Sequence, residues 1–143
     1  KKYREAIRQF ASVSNMSFKD TAGLKEKSKI GIKAAKDRIM EQSQVLMREG
    51  RTAYEAKNYK VAIQKLEAAL KISPENGDAK IFKDRAEGEL HLDLKNMYGE
   101  SVIEENLGNI ESAKKKWRTI LELGVPQDDY FKKAKSKLSK YEK

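Results

Sequence analysis

One spacing recurs three times along this chain and limits what it can fold into. Tyr3-x-x-Ala6-Ile7-x-x-Phe10, Tyr59-x-x-Ala62-Ile63-x-x-Leu66 and Ile110-x-x-Ala113-x-x-x-Trp117 each set a bulky residue three before an alanine and a large apolar residue four after it. On a helix those positions share one face. Each segment continues into further apolar positions: Ala11 and Val13, Ala69-Leu70, and Ile120-Leu121. The alanine at the centre of the face lets a neighbouring helix approach closely. Repetition on this scale points to stacked helical units, each burying its apolar face against the next.

Composition supports a thin helical layer. The strong helix formers Ala, Leu, Glu, Lys and Arg make up 71 of the 143 residues, with only two prolines and eight glycines. Charged residues reach 37% and hydrophobic ones only 38%, too few for a thick interior. At 16.4 kDa the length suits one domain. No apolar run exceeds three residues, Val45 to Met47 being typical, whereas a membrane-spanning helix needs roughly 20. Cysteine is absent, which removes disulfides, thiolate zinc sites and a cysteine nucleophile. No signal-peptide pattern opens the chain, so a soluble, cytoplasmic protein is expected. Asn15-Met16-Ser17 is a glycosylation sequon that matters only on export. The chain opens at Lys1-Lys2 without Met and enters a periodic pattern at once, which reads as a piece of a longer protein.

The middle copy carries the most information. Leu46-x-x-x-Gly50-x-x-x-Tyr54 reads as a helix, Ala56-Lys57-Asn58 as a tight turn, and Tyr59 to Ile72 as a second helix stopped by Pro74. Gly50 stands mid-helix despite a cost of about 1 kcal/mol against Ala, and close packing near Ala62 explains it. Over residues 43 to 76 the segment resembles the tetratricopeptide repeat, a helix-turn-helix unit of about 34 residues. Its Gly, Tyr, Ala, Ala and Pro positions fall in register with that family. The resemblance implies an all-α fold, a right-handed superhelical array of antiparallel helix pairs.

The flanking copies are longer. A shift of 51 residues aligns Ala35 with Ala86, Leu46 with Met97, Gly50 with Ser101, Tyr59 with Ile110, Ala62 with Ala113 and Leu66 with Trp117. The period exceeds that of the family by about 17, and the surplus lengthens the first helix of each pair. Between Asp78 and Leu107 only Gly88 and Gly99 interrupt the helical pattern, predicting a helix of about 28 residues and roughly 42 Å. Helices are predicted over 1–13, 21–57, with a break at Gly23 or Gly31, 59–72, 78–106, 109–123 and 128–142. The last begins at Asp128 or Asp129, with Phe131, Ala134, Leu138 and Tyr141 on one face and Lys133, Lys137 and Lys140 opposite. The domain plan is then a single domain, 1–143. Within it, 1–13 is the second helix of a truncated repeat, 21–72 and 78–123 are repeats with elongated first helices, and 128–142 is a cap.

Catalytic chemistry finds no home in these residues. His91 is the single histidine, and its neighbours Glu89 and Asp93 make a weak cluster, so it reads as an imidazole on a helix flank. No phosphate loop, dinucleotide turn or H-E-x-x-H pair occurs. Glu104 and Glu105 are adjacent and diverge by about 100° on a helix, which reads as a solvated face. No catalytic, metal or cofactor residue is assigned, and no cofactor is expected. The net charge of +9 is uneven: residues 1–57 carry +7, 58–106 carry −3 and 107–143 carry +5. Basic ends attract acidic proteins, nucleic acid or anionic membranes. The basic residues alternate with acids and accompany no recognition motif, so nucleic acid is the weakest of these partners.

In the tetratricopeptide family the first helices line a concave surface that holds a peptide or a helix. The resemblance places Gln44, Met47, Arg48, Arg51 and Tyr54 there in the middle repeat, and Lys95, Tyr98, Val102 and Glu105 in the last. Met47, Tyr54 and Tyr98 offer adaptable apolar contact, and Arg48 and Arg51 suit a bidentate grip on a carboxylate. A packing role for Tyr54 and Tyr98 competes with that reading. The carboxylate-clamp subset of the family uses Lys and Asn where this chain has Met47 and Arg51, which argues against a chaperone-tail clamp. The function expected is a non-enzymatic protein-docking module, with an acidic protein or peptide as partner. A self-assembling or dimerising scaffold built on the elongated helices is the alternative, and a nucleic-acid-binding module comes last.

Overall fold

The computed structural model describes residues 2–17 and 23–142. Among these residues there are six helices and no strand: α1 (Lys2–Asn15), α2 (Leu24–Glu55), α3 (Tyr59–Ile72), α4 (Gly77–Asn106), α5 (Ile110–Leu123) and α6 (Asp129–Tyr141). The all-helical reading and the long second and fourth helices hold. Residues 1, 21 and 22 of the predicted helices lie outside the described residues. Of the two candidate breaks, Gly23 is real, with a left-handed φ of 64° just before α2 begins. Gly31 does not interrupt the helix.

Local signals account for the boundaries. Asn58, Asn76 and Asp128 accept from the backbone N–H groups of Val61, Ala79 and Tyr130, capping α3, α4 and α6. Both long helices end in the same turn. Asn58 N–H donates to the Ala53 carbonyl and Lys57 N–H to that of Tyr54, while 51 residues on Asn109 donates to Glu104 and Gly108 to Glu105. The residue that must adopt positive φ is Gly108 in one turn and Lys57, at 57°, in the other.

The two long helices also share a buried seam. On α2 it is Ser28, Ala35, Ser43 and Gly50; on α4 it is Ala79, Ala86, Leu94 and Ser101, each 51 positions on. Steps of seven and eight keep these residues on one side of a helix. Seven of the eight are Ser, Ala or Gly, Leu94 being the exception, so a partner backbone can come close. The buried hydroxyls are satisfied locally: Ser28 Oγ donates to the Leu24 carbonyl, Ser101 Oγ to that of Tyr98, and Ser43 Oγ across the interface to that of Ala69.

Each seam seats two short helices end to end. On α2, Gly50 faces Leu66 of α3 and Gly31 faces the Phe10 ring of α1. Both short helices run antiparallel to α2, and they meet where the Arg4 guanidinium of α1 donates to the Lys71 and Ile72 carbonyls at the end of α3. On α4, α3 lies along the first half and α5 along the second. There Lys60, in the first turn of α3, donates to the Glu122 carbonyl at the end of α5, at 2.7 Å. Arg4 and Lys60 hold matching places in their segments, each following the tyrosine that opens the repeated spacing. A cation at the last carbonyls of a helix complements its dipole.

Ala62 and Ala113 are fully buried with Leu66, Trp117, Ile120 and Ala134, as the close-contact reading requires. Ala6 is half-buried, because α1 packs mainly against α2 and meets α3 only at its end, while α3 lies between α2 and α4.

Glycine substitutions separate these roles. A Cβ on Gly50 would lie 2.7 Å from Leu66 Cγ and 3.3 Å from its backbone N, so Gly50→Ala is expected to destabilise by about 1–3 kcal/mol. At Gly31 the Cβ meets only the outer Phe10 ring atoms, which can swing away, and Gly31→Ala should be near neutral. Gly88 has open space, so Gly88→Ala should stabilise by roughly 0.5–1 kcal/mol. Urea unfolding of the three variants checks the order.

Candidate functional site

The face of α2 that turns away from its seam begins the site. Gln44, Arg48 and Arg51 are exposed on it, while Met47 and Tyr54 are half-buried and packed against the core. Tyr54 is held between Tyr59 at 5.8 Å and Phe82 of α4 at 5.9 Å between ring centroids. It forms the apolar backing of the face, which agrees with the packing reading. The Arg51 guanidinium stands 5.3 Å from the Phe82 ring and donates from Nε to Glu55 at 2.9 Å. Stacking on the ring and the bond to Glu55 hold its plane while the side chain stays 56% exposed. Arg48 borders a cleft of about 660 Å³ with Val45, Glu49, Thr52 and Lys65, where Lys65 Nζ is bonded to Glu49 at 2.7 Å.

The corresponding face of α4 is occupied. His91, Tyr98 and Glu105 all meet α6: His91 Nδ1 lies 2.8 Å from Asp128 Oδ2, the rings of Tyr98 and Tyr130 are 5.7 Å apart, and Glu105 is bonded to Lys137 and Tyr141. Lys95 is exposed and Val102 half-buried. The nine residues assigned to the concave surface thus fall into two groups. The five on α2 form one continuous face, and the four on α4 are divided by the helix laid across them.

Two expectations are corrected here. Glu105 is not a solvated carboxylate, because its side chain is only 12% exposed and accepts Lys137 Nζ at 2.6 and 2.8 Å and the Tyr141 hydroxyl at 2.8 Å. Lys137 does not stand on the outer face of α6. It lies three residues after the buried Ala134 and so sits on the shoulder of the packed face, within reach of α4. The bonds from Lys137 and Tyr141 pull the Glu105 carboxyl below the usual carboxylate range, against a smaller opposing effect of burial. The same bond holds the Lys137 ammonium above its ordinary value, and the Tyr141 phenol is raised by its bond to Glu105 and by burial.

Sequence reasoning missed Phe82, the platform under Arg51, and foresaw Asp128 as the cap of α6 but not its contact with His91. The 51-residue shift carries the signal for His91, since it sets that residue on the same row as Tyr98 and Glu105. No comparable signal singles out Phe82. Among the described residues no group of three or more His, Cys, Asp or Glu side chains could hold a metal ion, and no helix is long and apolar enough to cross a membrane.

Antiparallel pairs on repeated seams define an all-α helical-repeat fold. The Tetratricopeptide repeat family matches residues 43–76, which span the second half of α2, α3 and the turn after it. The chain therefore carries one matched tetratricopeptide repeat within an all-helical array, and such repeats are typically interaction modules without catalysis. No curated protein and no solved structure gives a significant match.

The Glu105 cluster sets a pH dependence. A depressed carboxyl contributes stability that is complete above the unfolded value near 4.3 and is lost as pH falls through the folded value beneath it. The raised Lys137 and Tyr141 contribute stability that is complete below about 10 and is lost as pH climbs through their folded values. Glu105→Gln should therefore lower the urea midpoint at pH 7, by the equivalent of about 1–2 kcal/mol, and shrink its difference from wild type at pH 3. Urea titrations at the two pH values check this.

Proposed function

We propose that this chain is a non-enzymatic docking module that binds an acidic protein or peptide along α2. The observation that carries the reading is the exposed pair Arg48 and Arg51 beside Met47, on the first helix of the segment that matches the tetratricopeptide repeat. Two guanidiniums on one helical face grip carboxylates bidentately, and the thioether adapts to apolar side chains. Because Phe82 and Glu55 already hold Arg51, little of its side-chain entropy remains to be lost on binding. The domain plan belongs to this reading: repeats over 21–72 and 78–123, a cap over 128–142, and 1–13 as the second helix of a truncated repeat. Lys95 and Val102 extend the docking face toward α4, whereas Tyr98 and Glu105 support it from beneath α6. A cytoplasmic setting suits a chain without cysteine.

A second reading, self-association, draws on the N-terminal third, where Tyr3, Phe10, Met16, Leu24 and Ile30 are exposed and α1 has a helix on one side only. Light scattering at tens of micromolar separates the two, since a monomer counts against the scaffold.

The docking reading predicts that Arg48→Glu/Arg51→Glu lowers capture of an acidic partner from an extract by at least about tenfold. Wild-type capture should fade as ionic strength rises from about 0.05 to 0.5 M and the screening length falls from roughly 14 to 4 Å. Equal capture by wild type and double variant would remove the α2 face from the account.

A further inference from the structure

α4 carries apolar residues on two opposite sides. Its buried side is the seam of Ala79, Ala86, Leu90, Leu94 and Ser101. Two positions after Ala79, Leu90 and Ser101 stand Ile81, Leu92 and Ile103, which a rotation of about 200° places on the far side of the helix. They are 51%, 50% and 60% exposed. The three are 11 residues apart, and each follows a glycine by four: Gly77, Gly88 and Gly99. Eleven residues make about three full turns, so the row keeps to one side along the whole of α4.

Nothing inside the single chain accounts for Gly88 and Gly99. On α2, Gly31 and Gly50 make room for side chains of neighbouring helices, Phe10 and Leu66. A Cβ added at Gly88 or Gly99 would meet nothing within 4 Å, although each stands inside a helix at a cost of about 1 kcal/mol against Ala. On α2 a mid-helix glycine marks the approach of another helix. Among the described residues no helix lies on the outer row of α4.

The spacing of the row identifies its occupant. Ile81, Leu92 and Ile103 are placed alike in both chain directions, as a self-complementary contact requires. A second α4 laid antiparallel, with Leu92 at the two-fold axis, sets Ile81 against Ile103 and Leu92 against its own copy. In that register each glycine faces a larger side chain, Gly88 facing Asn96 and Gly99 facing Arg85. The charges on the edge of the row agree, because Arg85 comes beside Glu100 and Glu89 beside Asn96, with no acid against an acid. Among the described residues Arg85 bonds to no carboxylate, and its guanidinium stands 5.9 Å from the Phe82 ring. Glu100 is 60% exposed and held from within its own chain by Lys116 at 2.6 Å.

We propose that two copies of this chain pair through α4, antiparallel and in contact along Ile81, Gly88, Leu92, Gly99 and Ile103. The contact runs from residue 81 to 103, about 33 Å. A single row is narrower than a standard interface of about 800 Å² per partner, so the dimer forms at roughly tens of micromolar and above. The pairing does not depend on the docking reading of α2, and it uses different residues from the N-terminal group of Tyr3 and Phe10.

Sedimentation equilibrium over about 5 to 300 µM should show the wild type passing from monomer to dimer. Leu92→Glu alters a half-exposed residue, and with its helix content confirmed by circular dichroism it should stay monomeric. Gly88→Ala/Gly99→Ala should weaken the dimer about tenfold or more, yet raise the urea midpoint of the monomer measured below about 5 µM. A role confined to the single chain would not move the two readouts in opposite directions. The chain has no cysteine, so single cysteines read the register. Under mild oxidation Leu92→Cys should form a disulfide-linked dimer, Ile81→Cys alone should not, and Ile81→Cys mixed with Ile103→Cys should link one to the other. A wild type that is monomeric throughout overturns the proposal, and capture of another protein that Leu92→Glu abolishes would then assign the row to that protein. A dimer that Leu92→Glu leaves intact overturns it in favour of the N-terminal face. Linking of Ile81→Cys to itself as readily as Leu92→Cys overturns the antiparallel register.

Discussion

Close approach of helix backbones along one seam is the constraint from which the architecture follows. On α2 and again on α4, residues at steps of seven and eight are buried against neighbouring helices, and most of them are no larger than serine. Small seam residues let large ones on the short helices act as knobs: Leu66 against Gly50, and Phe10 against Gly31. Mean hydropathy is only −0.82, so this chain cannot rely on a broad apolar interior. It gains dispersion contact by bringing helices near rather than by burying many side chains. Trp117 shows the limit of that economy. It is fully buried and stacked on Tyr141, yet its indole N–H has no partner, a cost of about 1–3 kcal/mol accepted for the volume it fills.

The long seams determine where the polar faces end up. A seam that holds two short helices needs a long helix, and a helix of that length overhangs the next one in the array. α4 reaches only the last two turns of α2, and α6 covers only the second half of α4. The first half of α2 is free of α4 for this reason. Arg4 and Lys60 stabilise the two junctions by donating to the final carbonyls of the helix ahead. Glu111 occupies the equivalent place in α5, where a carboxylate can make no such bond.

The repeated spacing around Ala6, Ala62 and Ala113 was sufficient to read six helices and the 51-residue shift, because helical periodicity reports which face is buried. It does not report what lies against that face. The segments around Ala6 and Ala62 are nearly alike in pattern, yet α1 seats on the first half of α2 and α3 on the second. That distinction rests on which stretch of α2 each short helix meets, Phe10 beside Gly31 and Leu66 beside Gly50, contacts between positions 21 and 16 residues apart that no periodicity encodes. The same limit explains Glu105 and Lys137. Each reads as a surface charge in its own helix, and only the placement of α6 along α4 brings them together. Arg51 was legible as a cation on the right face, but Phe82 beneath it belongs to another helix and to a stretch whose pattern is mixed.

The central claim is that the first half of α2 persists as a helix because α1 is seated on its seam. Hydrogen exchange of the chain lacking residues 1–17, compared with the whole chain, tests it most directly. If the claim holds, amides of residues 24–38 lose their protection when α1 is removed, while those of 43–55 and of α4 keep theirs. Unchanged slow exchange throughout 24–38 would mean that the long helix stands without its partner, and the seam would no longer explain its length.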